Sequence, residues 1–291
     1  MKNFTFIPAP DLKTALNILD REKEKAKPVA GATNIMVDIR DGKLNDKILV
    51  GIQDIKELRG VKFNRGKIYI GALTTISELA DSLLLEKKAP ALFQAAQVFA
   101  DPIVRNSATV GGNIAYGSPA GDAVAALMGL KADVIVARKG GKRRIPIEEF
   151  HTGVNKNVMA ANELIVAVEF AVNPHSAFYK LALRNSMAIS QVTVAVSVRQ
   201  DRAGKITDAV IALGAVAPKV VRAYSVEKAI IGKPFGDEVI AAIAPALKKD
   251  IKPIDDIRGS GEYRATVAPV LVKRVLAKAC GVCLNEGRNA K

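Results

Sequence analysis

The chain has 291 residues, 49% of them apolar, a formal charge of +14 and only two cysteines, Cys280 and Cys283. That excludes a disulfide-stapled secreted scaffold and leaves apolar material for about two ordinary domains. No run approaches the roughly 20 apolar residues of a membrane span, aromatic residues are 5% and Trp is absent, so a spanning helix and a base-stacking surface for nucleic acid are both disfavoured.

Phe4 and Phe6 alternate with polar residues and suit a short first strand. Met1-Lys-Asn-Phe-Thr-Phe-Ile-Pro8 holds too short an apolar run for a secretion signal, so a cytoplasmic protein is expected. Asp11 is a suitable N-cap for a helix over 12–19, where Leu12, Ala15, Leu16 and Leu19 recur at helical spacing. Residues 21–27 read as a charged, solvated connection. Val29 opens a short apolar element that stops at once in Gly31-Ala-Thr-Asn34. Residues 35–39 read as helical or extended, and 48–52 as a strand. A strand over 68–73 leads into a helix whose Thr75 and Glu78 have capping-box spacing. Residues 89–100 read as helical.

Residues 133–137 and 144–147 form a hairpin around Arg138-Lys-Gly-Gly-Lys-Arg-Arg144, the densest basic patch, whose charges are solvated at the tip. Residues 163–170 read as a strand, and 172–176 break the pattern. Beyond the break, 177–183, 192–199 and 206–213 read as three antiparallel strands, the last two joined by a turn at Asp201-Arg-Ala-Gly204. Val220 and Val221 begin a further short strand. Residues 225–231, 239–247 and 263–280 read as helices. Strands followed by helices indicate an α+β unit.

The usual fingerprints are missing: no G-x-G-x-x-G, no P-loop, no G-x-S-x-G elbow and no H-E-x-x-H. His151 and His175 are far apart and read as surface or loop histidines. Cys280-Gly-Val-Cys283 lacks the second pair that a zinc or iron–sulfur site needs, and reads as two packed thiols at a helix end.

Two glycine-containing segments remain. Residues 107–122 hold five Gly or Pro among sixteen residues, and Asp122 is their only charge. Gly111 and Gly112 remove two Cβ atoms in a row, so a ligand can approach the backbone, and successive amides in such a turn form an anion-binding nest. Asn113, Ser118 and Asp122 add polar groups. In the second segment Gly31 admits close approach, and Thr33 and Asn34 can donate to phosphate oxygens. Neither segment carries Lys or Arg at its centre. Two such loops can grip one pyrophosphate, neutralised mainly by backbone amides.

Lys27-Pro-Val-Ala-Gly-Ala-Thr-Asn-Ile35, Ile70-Gly-Ala-Leu-Thr-Thr-Ile-Ser-Glu-Leu79 and Ala108-Thr-Val-Gly-Gly-Asn-Ile-Ala-Tyr-Gly-Ser-Pro-Ala-Gly-Asp122 resemble the FAD-binding medium subunit of molybdenum hydroxylases, a family that includes xanthine, carbon monoxide and nicotinate dehydrogenases. The resemblance runs over essentially the whole chain. Ala32 stands where many relatives carry a second Gly; a methyl there requires a negative φ. The resemblance implies a bilobal FAD-binding domain of the vanillyl-alcohol-oxidase (PCMH) type over 1–175, with lobes at about 1–57 and 58–175. A smaller α+β domain follows over 176–291. It implies that Pro28, Val29, Ala30, Gly31, Ala32, Thr33, Asn34 and Ile35 wrap the FAD pyrophosphate together with Thr109, Val110, Gly111, Gly112 and Asn113. Asp122 would accept hydrogen bonds from the ribityl or adenosine part. Phe99 and Ile165 match residues that touch FAD, although plain core packing accounts for them equally well. Lys180 matches a lysine near the isoalloxazine, although an alternating strand also points it at water.

By the same resemblance the chain is an electron-transfer subunit with no catalytic side chain of its own. A large subunit would carry molybdopterin-bound molybdenum and a small one 2Fe-2S clusters. Electrons would pass through FAD to NAD+ or another acceptor, in a xanthine dehydrogenase-like complex. Two alternatives stand beside this: a stand-alone flavin reductase or oxidase with its own substrate pocket, and a basic non-enzymatic module whose glycine loops hold another nucleotide or merely turn.

Overall fold

The computed structural model describes residues 4–45, 47–184 and 186–284. Three hydrophobic cores follow one another along the chain. In the first, β1 (Thr5–Pro8), β2 (Ala26–Val29) and β3 (Ile48–Gly51) form a parallel sheet in the order β1-β3-β2. Helix α1 (Leu12–Glu22) covers it, started by the Asp11 carboxylate, which accepts from the Thr14 amide at 2.7 Å. Ala15, Ile18 and Leu19 turn inward onto Val50 and Ile52. The segment 21–27, expected as a solvated connection, is instead the end of α1, a 3-10 turn over Lys23–Lys25 and the start of β2, where pairing with β3 imposes extension on Ala26 and Lys27. Helix α2 (Ile35–Arg40) leaves the end of β2 through residues 30–34.

The second core lies under a five-stranded antiparallel sheet, ordered β4-β5-β10-β6-β7. Its strands are β4 (Val61–Asn64), β5 (Lys67–Gly71), β6 (Asp133–Arg138), β7 (Gly141–Pro146) and β10 (Leu164–Ala171). One face carries Lys67, Glu169 and Arg144 as a cross-strand ion-pair ladder. The other packs on short helices: α3 (Ile76–Ala80), α4 (Leu83–Lys88), α5 (Pro90–Gln97), α6 (Pro102–Ser107), α7 (Val110–Tyr116), α8 (Asp122–Gly129) and α9 (Ile147–Phe150). A small hairpin of β8 (His151–Gly153) and β9 (Lys156–Asn157) lies beside them. Thr75 and Glu78 make both capping-box hydrogen bonds at α3. α5 stops short of the expected residue 100 because Ala100 turns to φ 40°, and the Arg105 guanidinium takes the Gln97 and Phe99 carbonyls. Asp101 then caps α6, with Pro102 at its first position.

The third core belongs to an antiparallel sheet of β11 (Ser176–Ala182), β12 (Ser190–Gln200), β13 (Ile206–Gly214) and β14 (Val221–Arg222), covered on one face by α10 (Tyr224–Ile230), α11 (Asp237–Leu247) and α12 (Gly261–Ala279). Val192, Val194, Val196 and Val198 of β12 face those helices, each contributing about 1.5–3 kcal/mol of apolar burial. The intervening Ala195 and Ser197 are small, and α8 presses onto that side. Ser197 Oγ donates to the Gly129 carbonyl at 2.6 Å, and a Cβ on Gly129 would lie 2.9 Å from that of Ala195. Every residue of α8 is buried. Cys280 is half-buried at the end of α12 but Cys283 is exposed, so the expectation of two packed thiols holds for one. Burial raises the Cys280 thiol to about 11. Among the described residues no helix is long and apolar enough to cross a membrane.

Candidate flavin site

Gly31 brings the two glycine segments together. A Cβ there would fall 1.6 Å from the Ser107 carbonyl oxygen and 3.2 Å from the Ala108 amide nitrogen, so the backbones touch. No other residue type fits so close an approach. Among the described residues, the amides of 30–34 and the side chains of Thr33 and Asn34 meet no hydrogen-bond partner. They are half-buried and precede the start of α2. A row of free donors at a helix start suits an anion with several oxygens.

Ala32 has φ 60°, not the negative value expected of a residue with a methyl group. The chain takes the left-handed conformation there even without glycine, at about 1–2 kcal/mol.

The segment 109–113 differs from the open turn expected. Val110 begins α7, and Thr109 caps it, its hydroxyl accepting from the Gly112 amide at 3.1 Å. The Val110 amide donates to Thr74 O at 3.0 Å and the Gly111 amide to Ala72 O at 2.8 Å. The nest of free amides is therefore at 30–34, and 109–113 contributes an exposed helix start at Gly112. The buried Asn113 Oδ1 has no partner, an uncompensated acceptor beside that start. Free amide donors at 30–34, held beside the exposed start of α7 by the Gly31–Ser107 backbone contact, fit a dinucleotide diphosphate.

Ile165 is buried in β10 opposite Val136, just before a bulge. The next residue ties its strand to α7: Val166 O accepts from the Ala72 amide, and Ala72 O from Gly111. Phe99, Asp122 and Lys180 form a second group. Asp122 is 4% exposed; its Oδ2 accepts from Lys180 Nζ at 2.6 Å and its Oδ1 from Ser190 Oγ at 2.6 Å. Burial pushes the Asp122 carboxyl above the usual carboxylate range, against the pull of Lys180 and Ser190. Lys180 points inward, not at water, and also donates to Val98 O at 3.3 Å, beside the half-buried Phe99. The last turn of α6 joins the groups: Arg105 holds Phe99 O, and Ser107 meets Gly31.

Several of these contacts were not foreseen. Ser107, Ser190 and the Ala72 and Thr74 carbonyls carry no sequence signal, because each acts through tertiary contact. His151 is 3% exposed rather than on the surface, whereas His175 is exposed as expected. Among the described residues no cluster of potential metal ligands occurs.

Residues 2–171 match the family described as FAD binding domain in molybdopterin dehydrogenase, and residues 177–279 match the CO dehydrogenase flavoprotein C-terminal domain. The chain is 30% identical to the xanthine dehydrogenase FAD-binding subunit of Escherichia coli O157:H7, over 93% of this chain and 94% of that one. It is also 30% identical to the carbon monoxide dehydrogenase medium chain of Hydrogenophaga pseudoflava, over 92% and 94%. The solved carbon monoxide dehydrogenase from that organism superposes with a TM-score of 0.91 at 29% identity, covering 97% of this chain and 99% of that one.

Proposed function

The chain belongs to the family of FAD-binding subunits of molybdopterin dehydrogenases, oxidoreductases built on the PCMH-type flavin fold, and we propose that it relays electrons between a partner's 2Fe-2S clusters and NAD+ or another acceptor. The partners are a large subunit with molybdopterin-bound molybdenum, where substrate is oxidised, and a small iron–sulfur subunit. We place the complex in the cytoplasm and read it as xanthine dehydrogenase-like. We place the domain division at 175/176, between β10 and β11.

The observation that carries this reading is the contact of Gly31 with Ser107, beside the free amides of 30–34. Residues 28–35 and 109–113 would hold the FAD diphosphate between them. FAD, when bound, supplies the ability to take electrons singly and release them as a hydride pair. The protein positions it and tunes its surroundings. Lys180 is held by Asp122 and also donates to the Val98 carbonyl; Phe99, next in the chain, would contact the flavin. Its charge is largely balanced by Asp122, so the pair presents a dipole rather than a full positive charge. Ile165 acts through the backbone of β10.

Purification of the tagged chain under native conditions tests this reading, with flavin absorbance and molybdenum and iron analysis of whatever accompanies it. One FAD per chain and two metal-bearing partner chains are expected. Colourless protein that takes up no added FAD would refute the assignment. Full substrate turnover by the chain alone would refute the relay.

A further inference from the structure

Helix α7 is too weak to hold itself. It has seven residues, and Gly111 and Gly112 occupy its first turn. Each glycine costs about 1 kcal/mol relative to alanine, and isolated helices of this length do not persist in water. Its geometry is imposed from outside. Thr74 O and Ala72 O fix the N-terminal amides. The C-terminal carbonyls are met by a single hairpin, β8–β9. His151 Nε2 lies 2.8 Å from Ile114 O, Asn157 Nδ2 donates to Ala115 O at 2.9 Å, and the Asn155 amide donates to Gly117 O at 3.1 Å.

The His151 ring also closes against the helix end. Gly117 has φ 67°, and a Cβ there would sit 3.0 Å from His151 Cδ2. The ring stands edge-on to Phe150 at 5.1 Å. Its own carbonyl is gripped by Lys219 Nζ at 2.9 Å, from the loop before β14. A carbonyl can only accept, so Nε2 carries the proton. Burial holds the imidazole below its ordinary value, and the facing Lys219 charge works the same way against the pull of the Ile114 carbonyl.

We propose that His151, aided by Asn157, is a positioning residue for the flavin: the β8–β9 hairpin clamps the C-terminal carbonyls of α7 and thereby keeps Gly112 in register with residues 30–34. This rests on the FAD reading above. Neither side chain touches the diphosphate; both act through a helix about 10 Å long.

The test compares apoprotein of the wild type, His151→Ala, His151→Gln and Asn157→Ala, each shown to be folded by a cooperative thermal melt. FAD is titrated by flavin fluorescence. His151→Ala weakens FAD binding by about tenfold, or about 1.4 kcal/mol. His151→Gln, whose amide replaces the Nε2 donor, restores it, and Asn157→Ala weakens it in the same direction. Ser197→Ala removes a buried hydrogen bond away from α7 and serves as the control; it lowers Tm and leaves FAD affinity unchanged. If His151→Ala does not fold, Asn157→Ala alone decides. Wild-type affinity in folded His151→Ala or Asn157→Ala overturns the clamp, as does an equal loss in Ser197→Ala. Failure of the wild type to bind FAD overturns the functional reading instead.

Discussion

Replacing Gly31 by alanine adds one methyl group at the point where the two backbone segments meet. The new Cβ would lie 1.6 Å from Ser107 O and 2.4 Å from its carbonyl carbon. Ordinary contact begins near 3.4 Å, so the carbonyl must retreat by about 1.8 Å. It has little room to do so. Ser107 closes α6, the Ala108 amide donates to Val104 O at 2.7 Å, and Ala108 O accepts from Ile76 at 2.9 Å. Overpacking of this kind costs about 1–3 kcal/mol. Expressed as separation of the two segments, that weakens FAD binding about 5- to 150-fold. The assay is FAD titration of folded apoprotein, with Gly141→Ala as control because a Cβ there meets nothing within 4 Å. Wild-type affinity in Gly31→Ala would show that the contact between the segments does not form the diphosphate seat.

Ala32→Gly relieves the left-handed strain of about 1–2 kcal/mol but frees the unfolded chain by about 0.4–1 kcal/mol, so calorimetry should show a modest rise in Tm; an unchanged or lower Tm rejects the strain. Lys180→Met leaves the Asp122 carboxylate buried without its cation and should cost about 3–5 kcal/mol in urea unfolding. Adding Asp122→Asn to it should restore much of that loss, whereas strictly additive losses would mean the two groups are uncoupled. Glu169 is held down to about 2 by hydrogen bonds from Arg144 and Lys67. Its folded value lies below the unfolded 4.5, so its stabilisation is complete above pH 4.5 and disappears as pH falls toward 2. The stability gap between wild type and Glu169→Gln should therefore close over that acid range, and a gap that stays constant with pH would contradict this origin.

Local signals in the sequence carried as far as local physics reaches. Asp11 and the Thr75–Glu78 pair announced their helices because a cap is satisfied within three residues. Residues 192–199 read as a strand of an antiparallel sheet, but that α8 packs on one of its faces and α12 on the other emerged only from the fold. α7 was hidden because two glycines argue against a helix, and only carbonyls and side chains from residues 72–74 and 151–157 make one. His151 was misplaced for a related reason: a histidine in a short polar stretch looks solvated until Phe150, Gly117 and Lys219 close around it.

By itself the amino-acid order determined the family, the alternation of elements and the two glycine segments, since spacing and motif are properties of the chain. Tertiary structure decided which of those segments offers free amides and which is a capped helix. It also turned Lys180 inward to Asp122 and gave Ala32 a backbone conformation its side chain disfavours. The physical reason is the same throughout. Hydrogen-bond satisfaction and close approach depend on residues distant in sequence, and those meet only when the cores pack.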